Sequence, residues 1–274
     1  MSTTDPAALP RPGRRARRGA CLGLVALLAA GCSTTTVRSS FDGTGLGASV
    51  TVPEGEGPFP AVVLMHGCGG LYGAAGPSLR THARYLADHG YASLVLDSFG
   101  PRNAAGGEMC SYANLGEARL YRTYDAFDAY RYLTRQPLVD ADHVFLMGQS
   151  NGASVALAAA QGARRNGLAR DHRFRAIVAY YPWCGAMASE LATPVLMFVA
   201  GRDDWVDPMA CKRREDQDHG VPVEVVMYPD AHHSFDVPVR RQRFEGRIVA
   251  GDQQAAADSR RRMVEFFDRY LADP

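Results

Sequence analysis

From residue 46 onward, short unbroken apolar runs alternate with longer stretches whose apolar positions recur every three or four residues. Ala61-Val-Val-Leu-Met65 contains no polar residue, as a strand covered on both faces requires. Tyr91–Leu96, Val144–Met147, Ala176–Tyr180, Val195–Val199 and Val223–Tyr228 read as further strands, and Ala48–Val52 has weaker strand character. Between them lie helical stretches: Ser78–His89, ended by Gly90; Leu115–Arg135, with Leu120, Tyr124 and Phe127 at i, i+4 and i+7; and a small-residue segment, Gly152–Arg165. Two more follow, Met209–His219 and a final helix carrying Met263, Phe266, Phe267 and Tyr270. Strands alternating with helices predict an α/β fold whose mostly parallel central sheet is covered on both faces. No repeat or internal linker interrupts residues 47–274, so they form one domain.

Composition adds little to this and removes one class. With 46% hydrophobic and 22% charged residues and a net charge of +1, the chain of 274 residues is ordinary globular material without the basic excess that nucleic acid demands. The charge is unevenly placed. Arg11, Arg14, Arg15, Arg17 and Arg18 precede the apolar run Leu22–Ala30, which is too short for the ~20 residues of a membrane span, so residues 1–31 read as a secretion signal. Ala29-Ala-Gly-Cys32 resembles a lipobox, with Cys32 as the residue that would be acylated after cleavage. The expected product is an exported, periplasmic protein held to a membrane through lipid at Cys32, followed by a Ser/Thr/Gly-rich tether over residues 32–46. Losing residues 1–31 removes five Arg and Asp5 and leaves a net charge of −3. Cys68, Cys110, Cys184 and Cys211 then remain in the folded part, where an oxidising compartment allows pairing. Cys184 with Cys211 is the favoured pair, because both follow strands near one sheet edge.

The chemistry centres on Gly148-Gln-Ser-Asn-Gly152, a G-x-S-x-G directly after a strand and at the start of a helix. At such a turn the serine oxygen stands exposed above the sheet, with room for tight packing left by the glycines. A hydroxyl needs a base, and His232 and His233 follow the strand ending at Tyr228. The Ala-x-His-x-Phe setting selects His233, leaving His232 at the surface or behind the site. A zinc pair is disfavoured, since at least three protein ligands are needed and no spaced His or Cys is evident. An orienting carboxylate is expected after Val195–Val199, where Asp203, Asp204 and Asp207 occur. Nine residues on from Pro194 lies Asp203, with Asp204 the alternative; Asp207 before Pro208 suits a helix cap. His66-Gly-Cys-Gly-Gly70 can aim backbone N–H groups at the serine, so the expected oxyanion donors are the amides of Cys68 and Asn151, with His66 itself structural.

Taken together, His66-Gly-Cys-Gly-Gly-Leu71, Asp97-Ser-Phe-Gly-Pro-Arg102, Gly148–Gly152, Tyr181-Pro-Trp-Cys184, Asp203-Asp-Trp205 and Ala231–Asp236 resemble the dienelactone hydrolase family over nearly all of residues 47–272. The resemblance implies an α/β-hydrolase fold without a large cap and cofactor-free attack on a small ester or lactone. Dienelactone hydrolase itself carries Cys at the elbow where this chain has Ser150, which points toward carboxylesterase-like chemistry. Candidate pocket residues are Tyr72, Phe99, Tyr181, Trp183 and Trp205, with Arg102 open between a substrate carboxylate and a surface ion pair. Rival readings are an acyltransferase or a non-catalytic binding lipoprotein on the same fold. A prolyl-oligopeptidase-type peptidase has no room here for its propeller. Nothing in the sequence bears on oligomeric state.

Overall fold

A computed structural model describes Met1 and residues 32–104, 106–168 and 172–272. The signal segment expected over 1–31, including the residues before Cys32, lies outside the described residues. Eight strands form the central sheet: β1 Cys32–Arg38, β2 Gly45–Thr51, β3 Phe59–Met65, β4 Ala92–Asp97, β5 Val139–Gln149, β6 Ile177–Tyr180, β7 Val195–Ala200 and β8 Val223–Tyr228. Their order is β1-β2-β4-β3-β5-β6-β7-β8. The six from β4 to β8 run parallel, while β2 joins β4 antiparallel and β1 joins β2 antiparallel.

The unbroken apolar runs behave as their composition requires. Along β3, Ala61, Val63 and Met65 enter the core on one side of the sheet, and Val62 and Leu64 enter the core on the other. In β7 the same alternation sends Val195, Met197 and Val199 one way and Leu196, Phe198 and Ala200 the other. Helices α2 Tyr112–Leu133, α3 Asn151–Ala159 and α4 Pro208–Glu215 serve the first side; α1 Ala75–Ala87 and α5 Gln253–Arg269 close the second. β3 and β7 are therefore two-sided apolar ribbons, whereas the edge strands β1 and β2 keep exposed positions.

Two expectations need correction. Residues 32–46 are no tether: Cys32–Arg38 pairs along its whole length with Gly45–Thr51. Backbone pairing supplies one reason, and polar anchoring to α2 supplies the other. Ser39 Oγ donates to Asp125 Oδ1 (2.7 Å) and Ser40 N to Asp128 Oδ2 (2.6 Å), so the turn after β1 is fastened to α2. Arg102 locks the arrangement, its guanidinium reaching Asp42 (2.7 Å) and Asp125 (2.7 Å) at once. A Ser/Thr-rich segment was thus drawn into the sheet by polar anchors that its own composition does not reveal. Second, Leu120 lies in α2 but is exposed. Phe127 is buried as the period requires, together with Ala118, Arg122, Asp125, Ala126, Ala129 and Leu133, among which the charged residues blur the helical period.

A buried ion pair broken on one side leaves an uncompensated charge. Arg102→Met is expected to lower stability by about 3 kcal/mol, roughly 6–12 °C in the thermal midpoint for a domain of this size, as followed by circular dichroism. An unchanged midpoint would show that the β1–β2 turn is held by its backbone alone.

Candidate active site

The sheet ends in a tight corner. β5 leads into Ser150, which adopts φ +52° and ψ −115°, a strained conformation for a residue with a side chain. Its amide donates to Tyr180 O (2.9 Å), pinning the turn to the neighbouring strand. A Cβ at Gly148 would overlap the Gly152 carbonyl, and one at Gly152 would overlap the carbonyls of Met65 and His66. These two positions must be glycine because backbone from α3 and β3 already occupies the space. The turn after β3 touches the serine as well: a Cβ at Gly67 would sit 3.3 Å from Ser150 Cβ.

Across from the corner, the loop after β8 brings His233 Nε2 to 2.9 Å from Ser150 Oγ. Its Nδ1 lies 2.7 Å from Asp203 Oδ2. Both side chains are nearly sealed from solvent, at 4% and 1% exposure, so the pair works in a medium that strengthens it. Asp203 is itself aimed by the amides of Trp205 (2.8 Å) and Val206 (3.2 Å), which bind its other oxygen. The imidazole is held between a tilted Tyr181 ring and a stacked Trp205 ring, with centroids at 4.5 and 5.4 Å. An imidazole so placed can accept the hydroxyl proton through Nε2 while the carboxylate steadies the resulting charge.

The alternatives separate cleanly. Asp204 accepts from Ile248 N (2.9 Å) and thereby anchors the hairpin of β9 Gln242–Phe244 and β10 Arg247–Val249. Asp207 caps α4 by accepting from Met209 N (2.9 Å), as its place before Pro208 suggested. His232 turns to the Arg202 carbonyl (3.0 Å). His66 is wholly buried, and that burial together with the nearby Arg122 guanidinium pushes its pKa well below the usual histidine range. Its Nε2 accepts from Ser98 N (3.2 Å), so Nδ1 carries the proton toward Gly67 O (2.7 Å). Cys68 is disulfide-bonded to Cys110, and Cys184 is bonded to Cys211 as favoured from sequence.

Two cavities meet at the serine. The larger, about 510 Å³, is walled by Leu115, Tyr181, Trp183, Trp205 and Arg119. The smaller, about 360 Å³, is bounded by Gly67–Gly70, Tyr72, Val237 and Phe244. Tyr72, Tyr181, Trp183 and Trp205 therefore line these cavities. Phe99 does not, being fully buried beneath His66 (ring centroids 4.8 Å apart). Arg102 does not either, since Asp42 and Asp125 engage it away from the cavities. Arg122, which reaches the corner from α2, was absent from the sequence reading, and Asp236 stood there in a motif without a role. The latter is buried and accepts from Tyr181 Oη (2.6 Å) and Gln149 Nε2 (2.5 Å), with His82 Nε2 at 2.7 Å. Its spacing three residues beyond His233 was the available signal.

A serine on a strand-to-helix corner, followed in chain order by an aspartate after β7 and a histidine after β8, on this sheet order, defines an α/β-hydrolase. The family model of dienelactone hydrolases matches residues 46–271, and the chain belongs to that family. It is accordingly a hydrolase of esters or lactones. A Yersinia pestis protein named, provisionally, carboxymethylenebutenolidase is 23% identical over 260 residues, covering 87% of this chain and 88% of that one. The dienelactone hydrolase of Anabaena variabilis superposes with a TM-score of 0.63 at 21% identity, over 87% of this chain and 98% of its own. The mouse peroxisomal succinyl-coenzyme A thioesterase is 31% identical over 111 residues, which is 40% of this chain but only 22% of the length of that relative.

Burial works to raise the Asp236 pKa, but the His82 contact, aided by Tyr181 and Gln149, outweighs it and holds the carboxyl below its usual range. A lowered folded pKa contributes stability that is present above about pH 4 and lost as pH falls through the folded value. Asp236→Asn is expected to cost about 2 kcal/mol at neutral pH, and its deficit against wild type should vanish in strong acid. Urea titrations across pH 2–7 measure this; a deficit independent of pH would show that the charge is not what matters.

Proposed function

We propose that this hydrolase acts through an acyl-enzyme on Ser150. The carrying observation is the unbroken chain from Ser150 Oγ through His233 to Asp203, at 2.9 and 2.7 Å. His233 Nε2 takes the hydroxyl proton as Oγ attacks the carbonyl carbon, and the carbonyl electrons move onto oxygen. Collapse expels the alkoxide, which leaves with the proton from Nε2. Water then repeats the sequence, with His233 taking its proton and the acid departing. The backbone amides of Cys68 and Asn151 are the donors to the oxyanion, each worth roughly 3 kcal/mol in such sites. Asn151 N begins a helix, whose positive end favours the developing charge.

The paired cavities favour small substrates with two arms, one on each side of the scissile carbonyl, and the aromatic walls suit apolar or planar groups. For placement in the cell, the reading is export and acylation at Cys32, which is free and exposed at the start of β1. Retention of wild type in the membrane fraction and release of Cys32→Ser would support that placement; equal partition of the two would remove it.

Ser150→Ala is expected to abolish p-nitrophenyl acetate hydrolysis and labelling by a fluorophosphonate, and undiminished turnover would overturn the acyl-enzyme. Asp203→Asn should reduce kcat by about 10³- to 10⁴-fold, whereas Asp204→Asn should stay within tenfold of wild type. Steady-state kinetics on the two variants tells them apart, and a reversed order would reassign the acid.

A further inference from the structure

Arg122 sits in the middle of α2, fully buried, where an arginine normally requires a carboxylate. Among the described residues no carboxylate accepts from it: Asp125, one turn further on, is spent on Arg102 and Ser39. Its guanidinium instead donates through Nη1 to Asn151 Oδ1 (2.5 Å) and through Nη2 to the His66 carbonyl (2.6 Å). The plane lies over the Phe99 ring at 4.7 Å, and Nε is buried without a hydrogen-bond partner. Burial lowers its pKa to about 10, which still leaves it charged near neutrality.

These two acceptors are not arbitrary pieces of core. The His66 carbonyl opens the Gly67-Cys68 turn, and Asn151 is the residue immediately after the serine. They belong to different strand ends, β3 and β5, which no covalent link joins at this level. We propose that Arg122 is a positioning residue that sets the spacing between the Cys68 and Asn151 amides, and so forms the oxyanion site from two separate segments. This rests on the acyl-enzyme reading above. A rigid fork suits the task, because two parallel N–H groups at fixed separation hold two acceptors at fixed separation. Lysine, with a single ammonium, keeps the charge and loses the geometry. The positive charge also lies between the two segments that carry these amides, in surroundings too dry to screen it.

The test compares wild type, Arg122→Met, Arg122→Lys and Asn151→Ala on p-nitrophenyl acetate, with circular dichroism as the check of folding and a trifluoromethyl ketone as a mimic of the tetrahedral state. Arg122→Met should lower kcat about 100-fold with KM within threefold, and weaken ketone binding by a similar factor. Arg122→Lys should recover part of that loss. Asn151→Ala, which removes one arm of the clamp and leaves the amide in place, should lower kcat about tenfold. A folded Arg122→Met with kcat within threefold of wild type, or one that loses activity through KM with ketone affinity intact, overturns the proposal. If Arg122→Met does not fold, Asn151→Ala decides, and an unchanged kcat overturns it. A wild type that neither turns over ester nor accepts fluorophosphonate sinks the serine reading and this inference together, whereas an active wild type beside an equally active folded variant sinks this inference alone.

Discussion

Ser150 holds its left-handed backbone because the carbonyls of Met65 and His66 occupy the space a side chain at position 152 would need. That single close approach packs the first turn of α3 against the end of β3, and everything catalytic is arranged around it. The hydroxyl is raised above the sheet, the Gly67 turn is brought against the serine, and the helix start comes to lie beneath it. Without the two glycines, the strand and helix would separate and the Cys68 amide would leave the serine. The strain is small beside the packing that enforces it, since β3, β5 and α3 are all in the most buried part of the molecule.

Around that corner the protein concentrates charge in places that would normally exclude it. Asp236 joins Gln149, Tyr181 and His82, so the residue before the serine, the loop carrying His233 and helix α1 share one buried carboxylate. Arg102 joins α2 to the β1–β2 turn, and Arg122 joins α2 to the two strand ends. Each group satisfies backbone or side-chain partners from segments far apart in sequence. Apolar burial is non-directional, whereas a fixed set of donors and acceptors specifies distance and angle. The apolar layers hold the sheet together, and the buried polar groups fix where its upper loops stand.

Much of this was legible in the chain. Uninterrupted runs such as Ala61–Met65 and Val195–Val199 can only be strands covered on both sides, and G-x-S-x-G between a strand and a helix has few other uses. Asp203 could be separated from Asp204 only by spacing, and the geometry agrees because the next turn turns Asp204 toward Ile248. What escaped reading was long-range and polar. Val37 and Ser39 are buried by partners roughly ninety residues away, so Cys32–Arg38 looked like loose polar chain. Leu120 misled because Arg122 and Asp125 took the inward positions an apolar period would have marked. Arg102 and Phe99 stood in a motif beside the site, yet Phe99 is buried beneath His66 and Arg102 is bound to Asp42 and Asp125 away from the cavities.

The Cys68–Cys110 bond joins the turn above β3 to the short helix Gly106–Cys110, which forms part of the wall of the larger cavity. One cross-link therefore belongs to two structures at once, the turn beside Ser150 and the boundary of the larger cavity. Recognition and bond-breaking share a hinge-pin whose existence depends on the electron supply of the surroundings. A chain folded among reducing thiols would have the same sheet, the same serine and the same imidazole, with the turn and the wall free to drift apart. The mouth of the enzyme thus keeps its shape only while that bond is intact.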